Sequence, residues 1–275
     1  MNTFNYFLTI SAAAGIILGG TSLNSYAQSV DNQVFIKQLS FENRAEIYQG
    51  AQLSDDFAKE NVADIFQDGS QHEAIIKQAF AGSSTSIQNT AIAEQGGEGH
   101  FIKIDQGVNL GFSRNNMAEV KQRNEFHTAV IEQAKDEGSA TDNMASIRQL
   151  DDTHVAVIKQ GVEGGDAKNN LATIDQDGTT HSASIVQGSN FGEAEDNSAE
   201  IIQLGGLGSE AIVFQGASVG GIGEGDAFNN YAYVKQDGSG HYALSIQNNS
   251  MNDVVDITQQ GTGHFARVAQ GVVLP

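Results

Sequence analysis

Between residues 142 and 161 the chain reads DNMASIRQLDDTHVAVIKQG, and its polar and apolar positions alternate. Asn143, Ala145, Ile147 and Gln149 occupy every second position, and eleven residues later His154, Ala156, Ile158 and Gln160 repeat the phrase. Successive side chains of a strand point to opposite faces, so a period of two predicts two strands, each with one uniform face. A helix would scatter the same four positions around its axis. The segments QDGTTH (176–181) and QDGSGH (236–241) have the composition of tight turns between such strands.

The phrase recurs along most of the chain. Its closing glutamine stands at Gln38, Gln49, Gln67, Gln78, Gln95, Gln106, Gln122, Gln133, Gln149, Gln160, Gln176, Gln187, Gln203, Gln215, Gln236, Gln247, Gln259 and Gln270. These eighteen motifs form nine pairs, 11 residues apart within a pair except for 12 between Gln203 and Gln215. The pairs follow one another at intervals of 29, 28, 27, 27, 27, 27, 33 and 23 residues. A fixed period of this length marks a repeat architecture. On the uniform face the second position is Ala in fifteen of eighteen motifs, and the third is Ile or Val in all but Ala93 and Ser245. The opposite face is mixed, with Glu119 and Lys121, Val155 and Lys159, and Tyr231 and Tyr233.

Small and β-branched residues on the uniform face suit a narrow interior, and the mixed face suits water. The predicted fold is therefore all-β: a β-solenoid of about nine strand–turn–strand rungs in amyloid-like parallel stacking, about 4.8 Å apart. A longer connection is expected to climb from each rung to the next.

A buried amide costs free energy unless it is paired. Identical glutamines at rung spacing can bond to one another along the axis, as amide ladders do in cross-β structures. A second ladder is expected from the residues that open each strand: Asn61, His72, Asn89, His100, Asn116, His127, Asn143, His154, Asn170, His181, Asn197, Asn230, His241 and His264. Asn43 in the first pair and Ser209 in the seventh interrupt the histidine column. A column of imidazoles suggests metal binding or a pH switch. The simpler reading is neutral His in place of Asn, because a straight column without cysteine supplies tetrahedral ligands poorly. No metal and no cofactor is expected, and loosening in mild acid is.

Composition narrows the function. The net charge of −20, with only 14 Lys+Arg, lacks the basic footprint that nucleic acid requires. There is no cysteine to staple the fold, and the single proline is Pro275. Residues 8–19 form an apolar run too short to span a membrane comfortably, and Ser25-Tyr26-Ala27 offers small residues for cleavage. Residues 1–27 are thus read as a signal peptide and 28–275 as the solenoid. Acids gather in the long connections, as at Asp136, Glu137 and Asp142, or Glu193, Glu195 and Asp196. They read as solvated turns rather than as calcium sites, because the glycine-aspartate repeat of calcium β-rolls is missing. No Ser/His/Asp or paired-acid constellation stands apart, so no catalytic residue is expected and the chain is not read as an enzyme.

Units such as NVADIFQDG (61–69) and NLATIDQDG (170–178) resemble the curlin repeat of curli fimbriae subunits, over residues 32–271. The resemblance implies a secreted subunit of extracellular amyloid fibres on the outer surface of a Gram-negative bacterium. Such fibres act in biofilm matrix, adhesion and aggregation. Its implied partners are further copies of itself, another curlin subunit, a curli-type secretion channel and chaperones. The connections here are longer than is usual in that family, the rungs are more numerous, and Asn32 leaves little room for a free secretion segment. Independently of the resemblance, a solenoid with open ends should add to itself head-to-tail. Two alternatives stand beside this reading: a minor, nucleating curlin subunit at the cell surface, and a non-polymerising extracellular solenoid that binds or cleaves glycans.

Overall fold

The computed structural model describes residues 29–39, 42–49, 57–80, 84–217 and 225–271; the signal peptide assigned to residues 1–27 lies outside them. Within the described residues the chain has no helix and forms three parallel sheets of nine strands each. One sheet holds the first strand of every pair, from Gln33–Leu39 to Val254–Thr262. A second holds the partner strands, from Arg44–Gln49 to Phe265–Gln270. Like stacks on like: Ala145 pairs with Ala172, Ile147 with Ile174, and Gln149 with Gln176. The all-β solenoid expected from the alternation is the observed fold.

The third sheet was not expected. Each of the eight connections, taken as a plain loop in the sequence, contains a short strand, from Phe57–Lys59 to Ser250–Met251, and with Ser29–Val30 before the first pair these stack in their own column. A strand of two or three residues has one inward position, too few to show a period. That position is always small: Ala58, Ser86, Ser113, Ala140, Ala167, Ala194 and Ala227 are all buried. Each lies three residues before an Asn of the ladder, a spacing visible in the sequence once sought.

The corners explain a second feature of the sequence. All nine residues before the Asn column have φ between 52° and 58°, and all nine before the His column have φ between 53° and 71°. Asn tolerates this left-handed conformation better than other residues with a side chain. The doublets Asn115-Asn116, Asn169-Asn170 and Asn229-Asn230 thus divide two tasks: the first residue turns the corner and the second enters the ladder. Crowding also restricts the turn between the paired strands. A Cβ added at Gly97 (φ +121°) would lie 2.0 Å from the Asn124 carbonyl oxygen of the next coil.

Irregular lengths are absorbed outside the stacked faces. The 12-residue spacing in the seventh pair appears as a register shift between Asp177, paired with Leu204, and Thr179, paired with Leu207. The 33-residue interval between Gln203 and Gln236 leaves Ala199 in register with Ala232.

The core is one continuous cluster of Ala and Ile or Val. The two long strands of a coil run in opposite directions across it. The amide of Gln95 reaches the carbonyl of Glu73, near the start of a second strand, and that of Gln106 reaches Thr90, near the start of a first strand. The third position of one strand therefore faces the second position of the other, and each level pairs one large side chain with one small. Ala93, in an Ile column, and Ile102, in an Ala column, belong to the same coil and are fully buried. The exchange of sizes keeps the level filled.

Ser245 is a further departure, opposite Val255, which stands in an Ala column on the strand Val254–Thr262. Ser245 stands between Val213 and Val268 in its column, and its hydroxyl is buried with no hydrogen-bond partner. Ser245→Ala should raise stability by roughly 1–3 kcal/mol, since it removes an unsatisfied buried polar group. Thermal unfolding of the soluble monomer would measure the gain, and an unchanged or lowered midpoint would contradict it.

Candidate functional site

The ladders run the length of the stack. Sixteen glutamine-to-glutamine bonds, eight in each long sheet, join every successive pair of coils, at 2.5 Å from Gln38 to Gln67 and at most 3.3 Å from Gln95 to Gln122. In each bond Nε2 donates to Oε1 of the following coil. The other Nε2 hydrogen donates to a backbone carbonyl, as from Gln149 to Thr128. A carbonyl can only accept, so each amide has one orientation and all point the same way along the axis.

The Asn column lies at the corner between the connection sheet and the first long sheet. The backbone N–H of each member donates to Oδ1 of the preceding one, from Asn61 on Asn32 to Asp253 on Asn230. Nδ2 donates forward to the connection strand of the next coil: Asn116 to Ala140, Asn143 to Ala167, Asn170 to Ala194 and Asn197 to Ala227. Asn89 and Asn116 also donate to the hydroxyls of Ser86 and Ser113.

The His column occupies the turn between the two long sheets. The rings of His72, His100, His127, His154 and His181 stack with centroids 4.9–5.2 Å apart, as do those of His241 and His264 at 5.2 Å. Nδ1 accepts the backbone N–H of the next member, as His127 does from His154. Nε2 faces the carbonyl four residues earlier in six of the seven, as in His100 to Gly96 and His154 to Leu150, while that of His181 is buried with no hydrogen-bond partner. With Nδ1 accepting, the proton sits on Nε2 and the ring is neutral. Burial pushes the pKa of His100 and His154 down to about 4, and lowers those of His72, His127 and His181.

The interruptions expected at Asn43 and Ser209 do not break this chain of bonds. Asn43 accepts from His72 through Oδ1, and Ser209 accepts from His241 through its hydroxyl. Only ring stacking stops at Ser209. The ladder positions that sequence reasoning missed are Asn32, Asn43, Ser209 and Asp253, each found by counting the register rather than by residue type.

The mixed outer face carries scattered ion pairs, such as Arg148 with Asp175 at 2.6 Å and Lys103 with Asp105 at 2.6 Å. In the turn, Glu98, Glu125 and Asp152 stack in register along a shallow groove, and burial with a hydrogen bond to Asp151 raises the Asp177 pKa. Among the described residues no group of three His, Cys, Asp or Glu side chains converges on a metal position.

The two ends differ from the middle. Among the described residues, nothing pairs with the outer edges of the first and last strands of the long sheets. The inward-facing Ala266 and Val268 of the last coil and Val34 and Ile36 of the first are only partly buried, whereas their counterparts in between are fully buried. Phe265 is 72 % exposed.

Residues 167–205 match the family model described as the curlin associated repeat. No curated protein and no solved structure matches the chain. The matched stretch runs from the connection strand Asp166–Lys168 into the first long strand of the next coil, Ser198–Leu207, and so covers one full coil with its ladders. The coils on either side repeat that phrase in the same register, so the pattern of the stretch that is similar to the curlin repeat continues into the neighbouring coils of the β-solenoid.

Proposed function

We propose that this protein is a secreted subunit that polymerises head-to-tail into curli-like amyloid fibres, which serve adhesion and aggregation in the matrix around a Gram-negative cell. The observation that carries this reading is the direction of the glutamine ladders. In the last coil Gln259 and Gln270 each donate one Nε2 hydrogen to a backbone carbonyl, and among the described residues the hydrogen that continues the ladder elsewhere has no glutamine to meet, while the first coil presents the Oε1 acceptors of Gln38 and Gln49. Donor meets acceptor only when the last coil of one copy stacks on the first coil of another. Two like ends would oppose donor to donor. A contact of this kind does not close on itself and therefore makes a filament. The curlin repeat supports the extracellular assignment, and with it another curlin subunit, a secretion channel and chaperones as partners.

Purified residues 28–275 should change from monomer to thioflavin-positive fibres visible by electron microscopy. Persistence as dispersed monomer would overturn the reading. With a net charge of −20 the monomers repel one another, and salt screens that repulsion. The lag before assembly should shorten as ionic strength rises, measured by thioflavin fluorescence at fixed protein concentration. Cross-seeding with a second curlin separates a bulk subunit from a nucleator.

A further inference from the structure

We infer that one side chain, His264, gates the joint between copies and must be neutral for the next copy to dock. This inference rests on the head-to-tail reading above. If the glutamine ladders continue across the joint, Gln270 stacks on Gln49 and Gln259 on Gln38. Six residues before these glutamines, His264 then lies against Asn43 of the next copy, and Asp253 against Asn32.

Within the molecule the backbone N–H at this corner donates to the side chain of the coil before. His264 donates to Nδ1 of His241 at 3.2 Å, and His72 to Oδ1 of Asn43 at 3.1 Å. Asn43 is the first member of the column, so its own N–H has no acceptor of this kind within its copy. His264 is the last, so its Nδ1 has no later N–H to accept. Its Nε2 lies 2.7 Å from the Gln260 carbonyl, which fixes the proton there and leaves the lone pair on Nδ1. The ring is stacked on His241 at 5.2 Å and within 3° of parallel, in the pose of the interior histidines. Docking of a second copy joins the two open ends of the column, Asn43 N–H to His264 Nδ1.

Protonation reverses this contact. An imidazolium donates from both nitrogens and accepts at neither, so donor would meet donor. Asp253 undergoes no such reversal, because a carboxyl keeps an accepting oxygen even when protonated. His264 is exposed, whereas His72, His100, His127, His154, His181 and His241 are buried, so protons reach it freely until a copy docks. Residues 260–263 of its own turn carry no charge. His241 and Asp237 lie on the coil beneath, and the next copy brings Glu42 and Arg44, of opposite sign, on either side of Asn43.

The test uses the mature chain, residues 28–275. His264→Asn keeps an acceptor, as Asn43 does in the first coil, but does not titrate. His264→Leu neither accepts nor titrates. Elongation on preformed seeds is measured at pH 7.5 and 5.5, and the ratio of wild type to H264N cancels the pH effects that the two share. That ratio should fall about tenfold at pH 5.5, since histidine changes charge across this interval. H264L should be slow at both values. Acid should destabilise the wild-type and H264N monomers equally in denaturant titration, because His264 Nδ1 accepts nothing within its own copy. A ratio that does not change with pH would overturn the gate while leaving polymerisation intact. So would H264N growing no faster than H264L at pH 7.5, or an acid loss of monomer stability that H264N removes. Absence of fibres from the wild type at pH 7.5 would instead overturn the head-to-tail reading and the gate with it.

Discussion

At pH 5 the soluble monomer should be less stable than at pH 7.5 by roughly 4 kcal/mol in denaturant titration. The histidine column is the cause. His100 and His154 titrate near 4 in the folded chain, held down by burial, and near 6.5 once unfolded. Above about pH 6.5 both states are neutral and the column contributes its full stability. As pH falls toward 4 the unfolded chain takes up protons that the folded chain refuses. At pH 5 this linkage amounts to about 2 kcal/mol for each of the two residues. His72, His127 and His181 are shifted in the same direction and add to the loss. Protonation would also place a hydrogen on Nδ1, where the backbone N–H of the next coil must be accepted. Asn already holds this position in the first coil, as Asn43. Replacing those five histidines by Asn should therefore leave a folded chain with most of its pH dependence between 7.5 and 5 removed. A wild type equally stable at both values would refute the argument.

The second large effect concerns the filled level of the third coil. Ile102→Ala should cost about 2–5 kcal/mol, because it leaves a small side chain facing the small Ala93 with a cavity between them. Ala93→Ile should cost about 1–3 kcal/mol, because two large side chains then compete for one level. Together the substitutions restore one large and one small residue per level in the arrangement of the other coils. The double variant should lie within about 1 kcal/mol of wild type, a large departure from additivity for residues in contact. Additive losses in thermal or denaturant unfolding would show that the two side chains do not share the level.

The long strands were legible because alternation survives eighteen repetitions. Any position held by Ala, Ile or Gln throughout such an array must face a space of constant size. The glutamine, asparagine and histidine columns could be named for the same reason. Their bonding could not, since a column of side chains does not disclose that the histidine Nδ1 accepts from backbone while the asparagine Nδ2 donates across to a connection strand. That strand was hidden by its length, with a single inward Ala or Ser among Gly and acids that read as loop. Ser209 and Asp253 were hidden by identity, since neither is the residue its column favours. The sequence has no means of showing that a hydroxyl can stand in for an imidazole until the coil beneath it is in place.

The interval of 33 residues between Gln203 and Gln236, against 27 for the four intervals before it, leaves the pairing of the flanking strands unaltered. Length is therefore freer in the connections and turns than in the long strands, where every position is stacked. Peptide grafted between Ala217 and Gly225 should leave Ala199 in register with Ala232. A chain built this way can acquire new surface chemistry by lengthening that stretch and leave untouched the machinery that holds it together.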